Sequence, residues 1–202
     1  EVDLDFTTWE AANFIDLDWP VSPHQGLTAY YDDSGYAAQF GVSHHALDVR
    51  IAHGSLIYAP ADGVVYKVND TAALEDETAR LGYGYIIIAH RMGVMTLYGH
   101  ISGALVQEGD FVHRGQMIGF TGGIPGMPGS GVRTTGAHLH FEVIQDGIRV
   151  DPLDYLPLEE VPFDSLPDEY LQTLEQQLEE SLAEDGVAVE DIEFIDRDEG
   201  EI

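Results

Sequence analysis

The sequence predicts an all-β fold, an antiparallel sandwich or barrel-like sheet, followed by one C-terminal α-helix. Three observations carry that expectation. Between residues 19 and 157 the apolar residues fall into short, strand-sized runs separated by Gly-rich turns. One run, residues 138–144, alternates well, with His138, His140 and Glu142 on one side and Leu139, Phe141 and Val143 on the other. Beyond Pro157 the composition changes, and Leu171, Leu174, Leu178 and Leu182 recur at helical spacing.

Taken in order, residues 1–18 read as an acidic N-terminal segment with scattered aromatics, and Trp19-Pro20-Val21 opens the main domain, 19–157. Within it, Asp62-Gly63 is a turn cue ahead of the β-rich run that ends at Val68. Residues 84–90 and 94–98 are strand-like runs joined by Arg91-Met92-Gly93. Glu108-Gly109-Asp110 and Arg114-Gly115-Gln116 are tight turns around short apolar pieces. Residues 121–135 hold too many Gly and Pro residues for a strand, and such a loop beside candidate ligands is expected to wall a cleft. Asp146-Gly147 closes a hairpin toward residues 148–150. In the acidic tail, 158–202, Ser165 with Asp168 and Glu169 suits a helix start and Gly186 a stop. Residues 187–202 are expected to be poorly ordered unless paired.

At 202 residues and 44% hydrophobic content the chain can bury a real core. No apolar run is long enough to span a bilayer. The net charge is −29, with Lys67 the single lysine, and residues 151–202 alone carry −18. Phosphate binding needs Lys and Arg, so nucleic acid is excluded as a partner and anionic membrane surfaces are disfavoured. The charge reads as a device for solubility or high salt rather than a patch for a basic partner. No cysteine is present, so a metal would be held by His and carboxylate, which for zinc points to catalysis more than to structure.

Nine histidines occur, and five fall in three stretches, four of them at informative spacings: His44-His45-Ala46-Leu47-Asp48, Tyr98-Gly99-His100, and His138-Leu139-His140-Phe141-Glu142. Two imidazoles on one strand face need partners if buried, so His138 and His140 are the strongest signal. Together with a remote His and Asp they suit an open zinc site with room for water. Adjacent His44 and His45 leave the register of the first stretch open, and His44 and Asp48 also fit a surface turn. His100 alone carries little weight. His24, His53 and His113 read as surface or turn residues, and His90 as structural. Glu142 is either a partner of the His pair or a solvent-exposed strand carboxylate.

These stretches, in this order, resemble the lysostaphin/LytM-type zinc endopeptidases that cut peptide bonds in bacterial peptidoglycan. The resemblance is carried by His44-x-x-x-Asp48, by Tyr58-Ala59-Pro60-Ala61-Asp62-Gly63-Val64-Val65, by Leu97-Tyr98-Gly99-His100 and by Gly136-Ala137-His138-Leu139-His140. Ala46 and Ala137 depart from the Gly and Pro usual in the family, and the Gly/Pro loop is longer than usual; neither change removes a ligand. The resemblance implies a β-sheet groove in which His44, Asp48 and His140 hold Zn²⁺, while His100 and His138 flank the water and substrate as catalytic residues. It places His44, not His45, on the metal. The implied partners are peptidoglycan peptides, in a secreted, periplasmic or cell-envelope location. The chain opens on Glu1 rather than Met, which reads as processing or trimming that could have removed an export signal. The alternative is a LytM-type module of little catalytic power that regulates cell-wall hydrolases. A weaker idea is that the acidic tail occludes the cationic site as an autoinhibitor.

Overall fold

The computed structural model describes residues 15–158, which form antiparallel β-strands with two short helices. In chain order these are β1 (Leu27–Ala29), α1 (Ser34–Phe40), β2 (Leu47–Arg50), β3 (Leu56–Tyr58), β4 (Gly63–Asn69), α2 (Glu77–Arg80), β5 (Tyr85–His90), β6 (Val94–Gly99), β7 (Gly103–Ala104), β8 (Phe111–Val112), β9 (Met117–Phe120), β10 (His138–Gln145) and β11 (Ile148–Val150). The expected all-β class holds. The helix expected in the tail lies outside the described residues, as do residues 1–14.

One sheet has eight strands, ordered β1-β2-β10-β6-β5-β4-β8 with β11 paired to β10; a smaller sheet runs β3-β9-β7. The alternation along β10 decides which side of the large sheet is which. Leu139, Phe141 and Val143 are fully buried, and so are Tyr98 and Thr96, which pair with Phe141 and Val143. Gly119 of β9 approaches Ile86 of β5 so closely that a Cβ there would lie 3.1 Å from Ile86 Cδ1, which sets the small sheet against this apolar face. The opposite face carries His138, His140 and Glu142.

The hairpin joining β10 to β11 forms at Asp146-Gly147, both with positive φ (50° and 83°), the backbone of a type I′ turn. β5 and β6 are joined by a short 3₁₀ turn at Arg91–Gly93. The chain packs before Trp19: Ile15 and Leu17 are buried, the Leu17 N–H donates to Tyr155 O at 3.0 Å, and the Arg114 guanidinium pairs with Asp18. β1, β2 and α1 are additions the sequence patterning did not announce; each is seven residues or shorter, too short to show a period.

Phe141 is wedged against Tyr98, ring centroids 5.6 Å apart. Replacing Phe141 by Ala removes a fully buried ring, and the expected loss is about 3–5 kcal/mol of unfolding free energy, read from urea titration.

Candidate metal centre

Strand register builds the site. His140 pairs with Asp48 of β2 on one side and with Gly99 of β6 on the other, so Asp48, His140 and Gly99 form one row across three strands on the polar face. Residues 48 and 140 are 92 positions apart in sequence, yet His140 Nδ1 lies 2.9 Å from Asp48 Oδ1. His44 reaches the same oxygen from just ahead of β2, its Nε2 at 3.2 Å. His44 is buried, whereas the side chain of His45 is exposed and faces Asp32, which separates the two neighbours the sequence left ambiguous. Helix α1, capped by Asp33 at its start and by left-handed Gly41 at its end, stacks Tyr36 on the His44 ring at 4.1 Å.

The hydrogen bonds assign the lone pairs. His44 Nδ1 lies 2.7 Å from the carbonyl oxygen of Tyr30, which only accepts, so Nδ1 carries the hydrogen and Nε2 presents a lone pair to Asp48. A lone pair and a carboxylate oxygen at 3.2 Å repel unless a proton or a cation lies between them. His140 Nδ1 faces Asp48, and its Nε2 lies 3.3 Å from Glu142 Oε1. One donor atom from each of His44, Asp48 and His140 therefore falls within 4.8 Å of the others, and the set fits a metal ion.

Burial disfavours a charged Asp48, but the hydrogen bond from His140 and the neighbouring His138 and His140 imidazoles outweigh it and hold the carboxyl well below its usual range. Burial likewise disfavours a charged His140, and hydrogen bonds to Asp48 and Glu142 outweigh it, raising the imidazole to about 9. Glu142 is buried rather than exposed, and its Oε2 accepts from Arg149 Nε at 2.6 Å. A carboxylate fixed in this way holds Nε2–H of His140 and turns Nδ1 toward Asp48, the arrangement that orients a metal-binding imidazole.

His100 and His138 stand beside this group. His100 Nδ1–H donates to Ser130 O at 2.7 Å, and His138 Nδ1–H donates to Gly136 O at 2.8 Å. Both rings thus present Nε2 lone pairs, and their centroids are 4.7 Å apart. His138 Nε2 is buried with no hydrogen-bond partner and lies 3.6 Å from Asp48 Oδ1. Burial, with His138 and His140 adjacent, lowers His100 to about 3, so this imidazole is neutral at physiological pH. His100 also has positive φ (57°), a strained backbone of the kind that accompanies functional sites.

The site opens into a cleft of about 410 Å³ lined by His44, His100, His140, Tyr36, Tyr83 and Glu142, with Gly131, Val132 and Arg133 of the Gly/Pro loop among its walls. His90, tied to Asp62 O and Thr96 Oγ1, is structural, and exposed His113 faces Asp62. The sequence did not single out Tyr83, Arg149 or the Ser130 carbonyl; a tyrosine in a turn and a backbone oxygen have no sequence signature.

Fold and site together define a β-sheet protein with a His–Asp–His group suited to a metal ion. Residues 42–152, just over half of the chain, match the model of peptidase family M23, and the chain belongs to that family. It is 33% identical over 110 residues to the peptidoglycan DD-endopeptidase ShyA of Vibrio cholerae, covering 54% of this chain and 22% of that protein. It is 35% identical over 156 residues to the murein hydrolase activator NlpD of Salmonella dublin, covering 75% of this chain and 36% of that protein. Among solved structures, a mutant catalytic domain of the prophage-encoded M23 protein EnpA of Enterococcus faecalis is similar, with a TM-score of 0.51 and 25% identity over 71% of this chain and 98% of that one. The chain spans about a fifth of the endopeptidase and little over a third of the activator.

Proposed function

We propose that the protein is a zinc-dependent endopeptidase that hydrolyses peptide bonds of bacterial peptidoglycan. The observation that carries this reading is the convergence of unshared lone pairs. His44 points one at Asp48, and His140 aims its Nδ1 at the same carboxylate and frees a lone pair there on losing the proton it carries at pH 7. Two further imidazoles, His100 and His138, present free Nε2 atoms beside them. His44, Asp48 and His140 hold the zinc ion, leaving room for water and substrate. Bound zinc supplies Lewis acidity, polarising the scissile carbonyl and lowering the pKa of water toward about 7. His100 or His138 takes the proton of the attacking water at Nε2, as a new carbon–oxygen bond forms. As the carbon–nitrogen bond breaks, that proton passes to the departing amine. The backbone carbonyls of Ser130 and Gly136 hold both rings in the tautomer this requires. Such a substrate belongs to the periplasm, cell envelope or extracellular space.

Clearing of purified cell walls, followed by turbidity, tests this. Clearing that stops with a chelator and returns with zinc supports the enzyme. A zinc-loaded protein that clears nothing overturns it. The likeness to a murein hydrolase activator favours a second reading, a regulatory module. In that case the protein accelerates a separate murein hydrolase without clearing walls itself. Mass spectrometry of fragments from defined muropeptides names the bond cut.

A pH dependence follows from His140. With its imidazole raised to about 9, it is protonated at pH 7, and zinc must displace that proton. Zinc affinity is therefore expected to rise about tenfold per pH unit up to about 9 and to flatten above it. Calorimetry at pH 7 in buffers of different ionisation enthalpy should read the release of about one proton from this group per zinc bound.

A further inference from the structure

We propose that the phenol hydroxyl of Tyr83 is a catalytic hydrogen-bond donor to the carbonyl oxygen of the scissile peptide bond. This rests on the endopeptidase reading and assigns a residue that the metal-ligand and general-base sets leave out.

The row Asp48–His140–Gly99 continues to Tyr85 of β5, so position 99 lies on the polar face beside His140. Glycine leaves that place empty of side chain, and Tyr83 fills it. A Cβ at 99 would overlap the Tyr83 hydroxyl and lie 2.7 Å from its Cζ. The phenol ring stands edge-on to His100 at 4.9 Å and to His140 at 6.4 Å, and it lines the cleft. It sits between an imidazole proposed to move the proton and one proposed to hold the metal.

Its backbone is pinned. Tyr83 bridges to Ser130, whose carbonyl also orients His100, and the Tyr83 carbonyl accepts from Asn69 Nδ2 at 2.8 Å. Ring and imidazole therefore share one mount. Yet among the described residues the Tyr83 hydroxyl has no hydrogen-bond partner, although the Nδ1 atoms of His44, His100, His138 and His140 are all engaged. The ring is half-buried and its hydroxyl is not one of the buried, unpartnered polar atoms, so it meets the open cleft where a substrate would lie. A free donor at this place matches the need of a peptide carbonyl gaining negative charge as water attacks, which a pre-aimed O–H relieves.

Tyr83→Phe tests the proposal because it keeps the ring and deletes only the donor. With purified cell walls or defined muropeptides, kcat is expected to fall about 10²-fold with KM within about twofold. Zinc content and Tm should match the parent protein. A second measurement does not depend on turnover: binding of a phosphinic alanyl-alanine pseudopeptide, tetrahedral at the position of the scissile carbonyl. Tyr83→Phe should weaken it at least tenfold, while binding of tetra-alanine is unchanged. If Tyr83 is only a wedge, Tyr83→Phe leaves kcat and phosphinic binding at parental values, which overturns the proposal. Loss of zinc in Tyr83→Phe also overturns it. If the parent protein clears no walls, the endopeptidase reading fails by itself, and equal phosphinic binding by parent and variant overturns the role of Tyr83 separately.

Discussion

Asp48→Ala is expected to abolish zinc binding and hydrolysis together. Asp48 Oδ1 is the point on which the centre turns: His140 Nδ1 lies 2.9 Å from it, His44 Nε2 3.2 Å and His138 Nε2 3.6 Å. Its removal leaves three imidazoles facing one another with no anion to offset the dication. The loss in zinc affinity should exceed the roughly 10–100-fold cost of losing an outer partner of a metal ligand. Elemental analysis after dialysis and turbidity clearing read the two effects in one preparation. Asp48→Asn retains the shape while removing the charge, and should fail in the same way. A variant that carries no zinc but still clears walls would sink the scheme. Asp48 is held well below the ordinary carboxylate range, so mild acid alone should not mimic the substitution through this residue.

His100→Ala should behave differently. Zinc content is expected to stay at the parental level while hydrolysis falls about 10²–10⁴-fold, the usual worth of a positioned general acid–base group. The structural reason is that His100 presents its free Nε2 to the cleft, with Nδ1 occupied by Ser130 O, and it is outside the set whose donor atoms converge within 4.8 Å. Zinc loss in this variant would make His100 a ligand and overturn the assignment. The same pair of measurements on His138→Ala weighs the two imidazoles against each other. Its Nε2 lies closer to Asp48, so a partial fall in zinc affinity there would mark it as a contributor to the centre.

The parts of the fold that were legible from sequence were those with a local physical signature. β10 was readable because side chains alternate along a strand, putting His138, His140 and Glu142 on one face and Leu139, Phe141 and Val143 on the other. The β10–β11 turn was readable because Asp-Gly tolerates positive φ at both positions. β5 and β6 were readable as apolar runs broken by a glycine-containing turn. β1 and β2 were not, since three or four residues cannot display a period, and pairing with β10 is what makes them strands. Helix α1 buries none of its residues, so it has no apolar stripe to read; its caps and the stacking of Tyr36 on His44 define it.

By itself the sequence determined the chemistry available: imidazoles and carboxylates without thiols, two histidines on one strand face, and a strongly acidic charge. The tertiary structure decided how those groups meet. Pairing of β2, β10 and β6 brought Asp48 within reach of His140 across 92 residues and left Gly99 open for Tyr83. Carbonyls of Tyr30, Ser130 and Gly136 chose which nitrogen of each ring keeps its hydrogen. The physical reason is that donor identity is written in a side chain, whereas lone-pair direction depends on hydrogen bonds to backbone distant in sequence, which exist only once the sheet has closed its register.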